Sequence, residues 1–145
     1  MIQRLQSVWM LLAALLCACL FLVDFYSFHS MVNGVDTVSH VRINDFYPGL
    51  LLALVVILLP LVAIFMYSNR KRQITMLVMN LLVLIGFVSL MFMHVNNMTT
   101  TMAPVTNGNY GAGAIIPVVC IILMIMALRG VRKDEKLVRS QDRLR

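Results

Sequence analysis

Residues 49–95 read GLLLALVVILLPLVAIFMY (49–67), SNRKRQ (68–73) and ITMLVMNLLVLIGFVSLMFMHV (74–95). Each apolar run is close to the ~20 residues that cross ~30 Å of hydrocarbon as a helix. Neither contains Asp, Glu, Lys or Arg. A backbone amide or carbonyl left unpaired in lipid costs several kcal/mol, so each run must close its hydrogen bonds internally, and both are about twice the length of a barrel strand. The joint between them is so short that the two helices must form an antiparallel hairpin, and it carries Arg70-Lys71-Arg72.

Two further runs of the same character flank this hairpin, and none of the four holds a charged residue. We expect helices over about 5–23, 49–67, 74–95 and 112–128. The chain as a whole has 145 residues, is 61% hydrophobic and 12% charged, and has a mean hydropathy of +0.89. That is too apolar for a soluble core and too short for several large domains. The expected fold is all-α: a polytopic transmembrane four-helix bundle over 1–128, followed by a basic tail over 129–145.

Charge sets the expected orientation. Arg4 precedes the first run, Arg70-Lys71-Arg72 lies between the second and third, and seven basic residues follow Leu128, leaving Arg42 alone on the other side. By the positive-inside rule both termini are cytoplasmic, and the segments around 24–46 and 96–111 lie outside. Tyr47, Tyr67 and Tyr110 fall near the expected interfaces. Arg4 with the apolar stretch after it resembles a secretory signal, and Leu16-Cys17-Ala18-Cys19 resembles a lipoprotein processing site. The run continues through Leu20-Phe21-Leu22-Val23, however, so an uncleaved signal anchor is expected. Cys17, Cys19 and Cys120 all lie in apolar runs, where a thiol behaves as a small hydrophobe, and no disulfide framework is indicated.

Ion pathways and proton relays need ionisable groups at mid-membrane, and these spans have none, which argues against a pump or an ion-coupled transporter. Asn80 is the one strongly polar side chain near the middle of a span. Its amide calls for an interhelical partner, and packing is the expected role. Pro60 and Pro117 each remove a backbone donor and are expected to bend their helices. Met91, Met93, His94 and Met98, with Met102 beyond them, offer thioethers and an imidazole suited to a soft metal such as Cu(I). Against that, the chain has 12 Met in all, and in a helix Met91 and Met93 point about 200° apart. His29 and His40 share a polar segment with Asp24, Asp36, Asp45 and Arg42 but match no catalytic or metal spacing, and solvated loop residues are the better account. No catalytic residue, cofactor or resident metal is expected.

The segment after Leu128 carries Arg129, Arg132, Lys133, Lys136, Arg139, Arg143 and Arg145 against Asp134, Glu135 and Asp142, a net charge of +4. It could extend the fourth helix or lie on the membrane as a basic helix. Attraction to anionic lipid is its simplest role, and docking of a cytoplasmic partner the sharper one; nucleic acid enters only if that partner is ribosomal.

The opening Met1-Ile2-Gln3-Arg4-Leu5-Gln6-Ser7 and the closing Arg132-Lys133-Asp134-Glu135-Lys136-Leu137-Val138-Arg139-Ser140 with Asp142-Arg143-Leu144-Arg145 resemble a domain-of-unknown-function family. Its members are short, four-span bacterial inner-membrane proteins. The resemblance implies a bacterial inner-membrane location and carries no activity, cofactor or catalytic residue. The functional expectation is a small, non-enzymatic accessory subunit of a larger inner-membrane complex, such as a translocation, insertion or envelope-biogenesis machine. It would contact lipids and partner subunits through its helices and basic tail. The alternative is a soft-metal or small-solute carrier using the Met-rich end of the third helix.

Overall fold

A computed structural model describes residues 3–32, 35–67, 69–101 and 105–142, with side-chain environments for 6–30, 36–67, 69–101 and 107–138. The chain is mostly helical. Its elements run α1 (Gln3–Cys19), β1 (Tyr26–Val32), β2 (Val35–Val41), a 3-10 turn (Ile43–Asp45), α2 (Tyr47–Phe65), α3 (Arg70–Thr101), β3 (Val105–Tyr110) and α4 (Ala112–Asp142). Tyr47–Phe65, Arg70–Thr101 and Ala112–Val138 are long and apolar enough to cross a membrane. The apolar part of α1, Gln6–Cys19, is shorter.

The helix expected over 5–23 stops at Cys19 although the sequence stays apolar. Leu20, Phe21 and Leu22 donate to the carbonyls of Cys17, Ala18 and Cys19, three residues back, so the last turn tightens and delivers the chain to β1. At the other extreme, α3 continues through the polar Asn96-Asn97-Met98-Thr99-Thr100-Thr101, where a loop was expected. The hydroxyls of Thr99, Thr100 and Thr101 bond back to the carbonyls of Asn96 and Asn97, which keeps these residues compatible with a helix end.

Buried positions in each helix recur at alternating steps of four and three. They are Gln6, Met10, Ala13, Cys17 in α1; Gly49, Ala53, Val56, Pro60, Ala63 in α2; Gln73, Leu77, Asn80, Leu84, Phe87, Met91 in α3; and Gly113, Pro117, Cys120, Met124, Ala127, Val131, Asp134 in α4. A 3.5-residue repeat is the seam of left-handed helix packing, and the small residues along it let backbones approach closely. Helix α1 packs against α2 and α4, and α3 packs against α2 and α4. The outward positions are large and apolar, among them Leu51, Leu54, Leu58 and Val62 of α2. Both prolines lie within their helices on the buried side.

The stretch expected as a solvated outer loop is instead a sheet of order β2-β1-β3, antiparallel throughout. Tyr26 pairs with Val41 and with Tyr110, and the β1–β3 register shifts between His29 and Ser30. The physical reason lies in period-two alternation: Tyr26, Phe28 and Ser30 are buried, whereas Ser27 and His29 face outward. Val32 pairs with Val35, so the sequence between the strands is Asn33-Gly34, a strong hairpin signal. Phe25, Tyr26, Phe28, Val41 and Ile43 join Cys17, Val56, Phe87, Met91 and Cys120 in one core. The sheet thus caps the helices at one end.

Backbone contacts fasten that cap. The Gly111 amide donates to Phe25 O at 3.1 Å and the Gly113 amide to Asp24 O at 3.2 Å, which satisfies donors at the start of α4 that have no partner within the helix. A Cβ at Gly111 would stand 2.5 Å from Asp24 O, and one at Gly113 2.8 Å, so the approach requires glycine at both positions. At the opposite end Gln6 of α1 and Arg70 of α3 both bond Asp134 of α4. The start of α1, the start of α3 and the late turns of α4 therefore lie together. We call these the sheet end and the basic end. Helix α4 crosses residues 128–129 without a break.

Candidate functional site

Three charged or ionisable side chains, those of Asp24, His40 and Arg42, converge at the sheet end. Asp24 lies two residues before β1, and its two carboxylate oxygens are used separately. Oδ1 accepts from Arg42 Nε and Oδ2 lies 2.9 Å from His40 Nδ1. The guanidinium hydrogen bond holds the Asp24 carboxyl below the usual carboxylate range, with further help from the charges of Arg42 and His40, and Asp24 in turn raises Arg42. His29 and His40 both face outward on strands, beside Ser27, Val38, Asn107 and Asn109 in the register. An aspartate orienting an imidazole through Nδ1 is half of a nucleophilic triad, but the third member must reach the ring. Among the described residues no hydroxyl or thiol is hydrogen-bonded to His40, and no three His, Cys, Asp or Glu are placed to hold a metal. What this network does is tie the α1–β1 connection to the end of β2.

At the basic end the polar groups point inward. Gln6 Nε2 donates to Asp134 Oδ2 at 2.7 Å, both residues being buried, and Arg70 Nη1 donates to the Asp134 carbonyl at 2.8 Å. Gln73 Nε2 donates to Ala63 O at 3.0 Å, linking α3 back to the end of α2. Gly130 belongs to the same contact: a Cβ there would meet Gln6 Cγ at 2.7 Å. Gln6, Ser7, Tyr67, Arg70, Gln73, Val131 and Asp134 surround a cavity of about 20 Å³. That is room for one water-sized group, against the roughly 300 Å³ or more of a metabolite pocket.

The soft-metal candidates are not brought together. Met91 is fully buried and Met93 is 67% exposed, on opposite sides of α3. His94 stacks on Phe46 at 3.9 Å between ring centroids, and its Nε2 is buried without a partner among the described residues. Met98 is half-buried one turn further on, and Met102 lies outside the described residues. Of the tail candidates, Arg129, Arg132, Lys133 and Lys136 are exposed on α4, while Val131 and Asp134 face inward. The Arg139 side chain, Arg143 and Arg145 lie outside the described residues.

Asn80 is buried in the α3 seam as expected, yet neither amide atom has a hydrogen-bond partner among the described residues. Sequence reasoning missed Gln6 and Asp134 as partners. Counting in steps of three and four from Cys120 through Ala127 and Val131 would have carried the seam to Asp134, past the point where hydropathy ends the span.

Two outcomes follow. Burying an unpaired amide costs about 1–3 kcal/mol, so Asn80→Val, which removes the amide and adds little volume, should raise the thermal midpoint in detergent; a fall would contradict the unpaired state of the amide. The folded chain prefers charged Asp24, so its contribution to the sheet end is complete above the ordinary aspartate value of about 3.9. It is lost as the pH falls through the lower folded value. Protection of the β1 and β2 amides, measured relative to their intrinsic exchange rates at each pH, should fall over that acid range in the wild type, and Asp24→Asn should remove that fall.

No curated protein and no solved structure matches the chain. A family model described as "Domain of unknown function (DUF4293)" matches residues 2–144. With nearly every residue inside that match, both the sheet end and the basic end are features of the matched region, and the chain belongs to the DUF4293 family of unknown function.

Proposed function

We propose that the chain is a small, non-enzymatic accessory subunit of a larger bacterial inner-membrane assembly, such as a translocation, insertion or envelope-biogenesis machine. It spans the bilayer as a four-helix bundle with both termini in the cytoplasm. The observation that carries this reading is the exposed basic face of α4 beyond the apolar core. Val131 and Asp134 anchor the helix to α1, and Arg129, Arg132, Lys133 and Lys136 project from the same turns. A helix so held presents its charges in a fixed pattern, suited to docking a partner at the membrane surface as well as to attracting anionic lipid.

Charge supports the orientation. Arg70, Lys71, Arg72 and the α4 cations lie at the basic end, whereas the sheet end has Arg42 among Asp24, Asp36 and Asp45, which favours a cytoplasmic basic end. The large outward side chains of α2 and α4 leave apolar surface for lipid or partner helices. The polar groups that meet Asp24 at the sheet end and Asp134 at the basic end are engaged in ties within the chain, which supports a structural role over chemistry.

Charge reversal tests this more cleanly than truncation, because truncation would also delete the Asp134 anchor. Tagged wild type and an Arg132→Glu, Lys133→Glu, Lys136→Glu variant are purified from native membranes in mild detergent and analysed by mass spectrometry. We expect a stoichiometric partner with the wild type, reduced several-fold in the variant at equal abundance. A wild type that is recovered monomeric and without partners overturns the proposal.

A further inference from the structure

Two of the three cysteines meet inside the protein. Cys17 lies in the α1 seam and Cys120 in the α4 seam, 103 residues apart, and their sulfurs are 3.1 Å from each other. Cys120 Sγ is also 3.6 Å from Ala13 O. Both thiols are buried, at 2% and 0% exposure, and Ala13 and Ala14 beside them are small enough to let the two helices close together. Cys19 is exposed, two residues on and so about 200° around α1, and it is not part of the pair.

We infer that Cys17 and Cys120 are a site of covalent modification, an intramolecular disulfide that staples α1 to α4. The sulfurs need to close by only about 1 Å to reach bonding distance. The same seam positions that bring the helices together hold them there. The chemistry is a two-electron oxidation. Two S–H bonds break, one S–S bond forms, and two protons and two electrons pass to an acceptor.

The setting selects the class of acceptor. Cys120 is eight residues into α4, so the pair lies roughly 12 Å below the start of that helix at about 1.5 Å per residue, among Leu20, Phe25, Val56 and Phe87 of the sheet-end core. A polar oxidant is excluded from such surroundings. A lipid-soluble quinone partitions into them and takes up both electrons and both protons as it becomes the quinol. The thiols are reachable by such a molecule when α1 and α4 separate or before they have closed. Once formed, the disulfide fixes the sheet end of the bundle, because α1 leads directly into β1 and α4 begins against the Asp24 and Phe25 carbonyls.

The full chain in mild detergent is incubated with a short-chain quinone, acid-quenched, denatured and alkylated with a maleimide, and the labels are counted by intact mass. We expect one label, mapped to Cys19 by peptide mass, and three labels after prior reduction. Cys17→Ser should take two labels with or without quinone, and Cys19→Ser should take none after quinone treatment. Three labels on the quinone-treated wild type overturn the inference. So does a loss of label that persists in Cys17→Ser or that maps to Cys19.

Discussion

The fold depends on one repeat: a buried position every 3.5 residues on each of four helices, with small side chains recurring along the seams of α1, α2 and α4 and larger ones along α3. In lipid an outward Leu is as well solvated as an inward one, so apolarity alone cannot choose which face a helix turns toward its neighbours. Gly49, Ala53 and Ala63 in α2, Ala13 and Cys17 in α1, and Gly113, Cys120 and Ala127 in α4 choose it by size. Close approach then gains dispersion contacts that a seam of large residues would forfeit.

Polar groups act where the helices end. At the sheet end the carbonyls of Asp24 and Phe25 cap α4, while the Asp24 side chain gathers Arg42 and His40 from the end of β2. At the basic end Gln6 and Arg70 converge on Asp134. Each end thus joins α1 to α4 and adds a third element. The architecture is a set of helices with a three-stranded cap at one end and a helix bearing exposed cations at the other.

Much of this was legible in the sequence, and the failures have physical causes. Hydropathy marks where lipid contact is possible, so the second run was placed well, at 49–67 against Tyr47–Phe65. It ends α3 too early because a helix does not stop where it becomes polar: threonine hydroxyls carry α3 to Thr101, and α4 takes the first of the two courses open to its tail, running on through its cations to Asp142. Residues 26–41 were read as loop because Ser, His and Thr interrupt the apolar positions, although the alternation and Asn33-Gly34 were there to be counted. For the Met cluster, helix geometry alone argues against a shared ligand set, and Met91 and Met93 are indeed on opposite sides of α3. The thiol pair was out of reach, because nothing local says that residues 17 and 120 share a layer.

The most direct test of the seam is a substitution series along α2, followed by thermal unfolding in detergent or reconstituted bilayers. Ala53→Leu and Ala63→Leu force extra volume into close contacts and should each cost about 1–3 kcal/mol. Leu54→Ala and Leu58→Ala, on the outward face, should change stability by well under 1 kcal/mol, since the lost contacts are with lipid or detergent. The reverse pattern, with the outward leucines sensitive and the alanines tolerant of enlargement, would contradict the account.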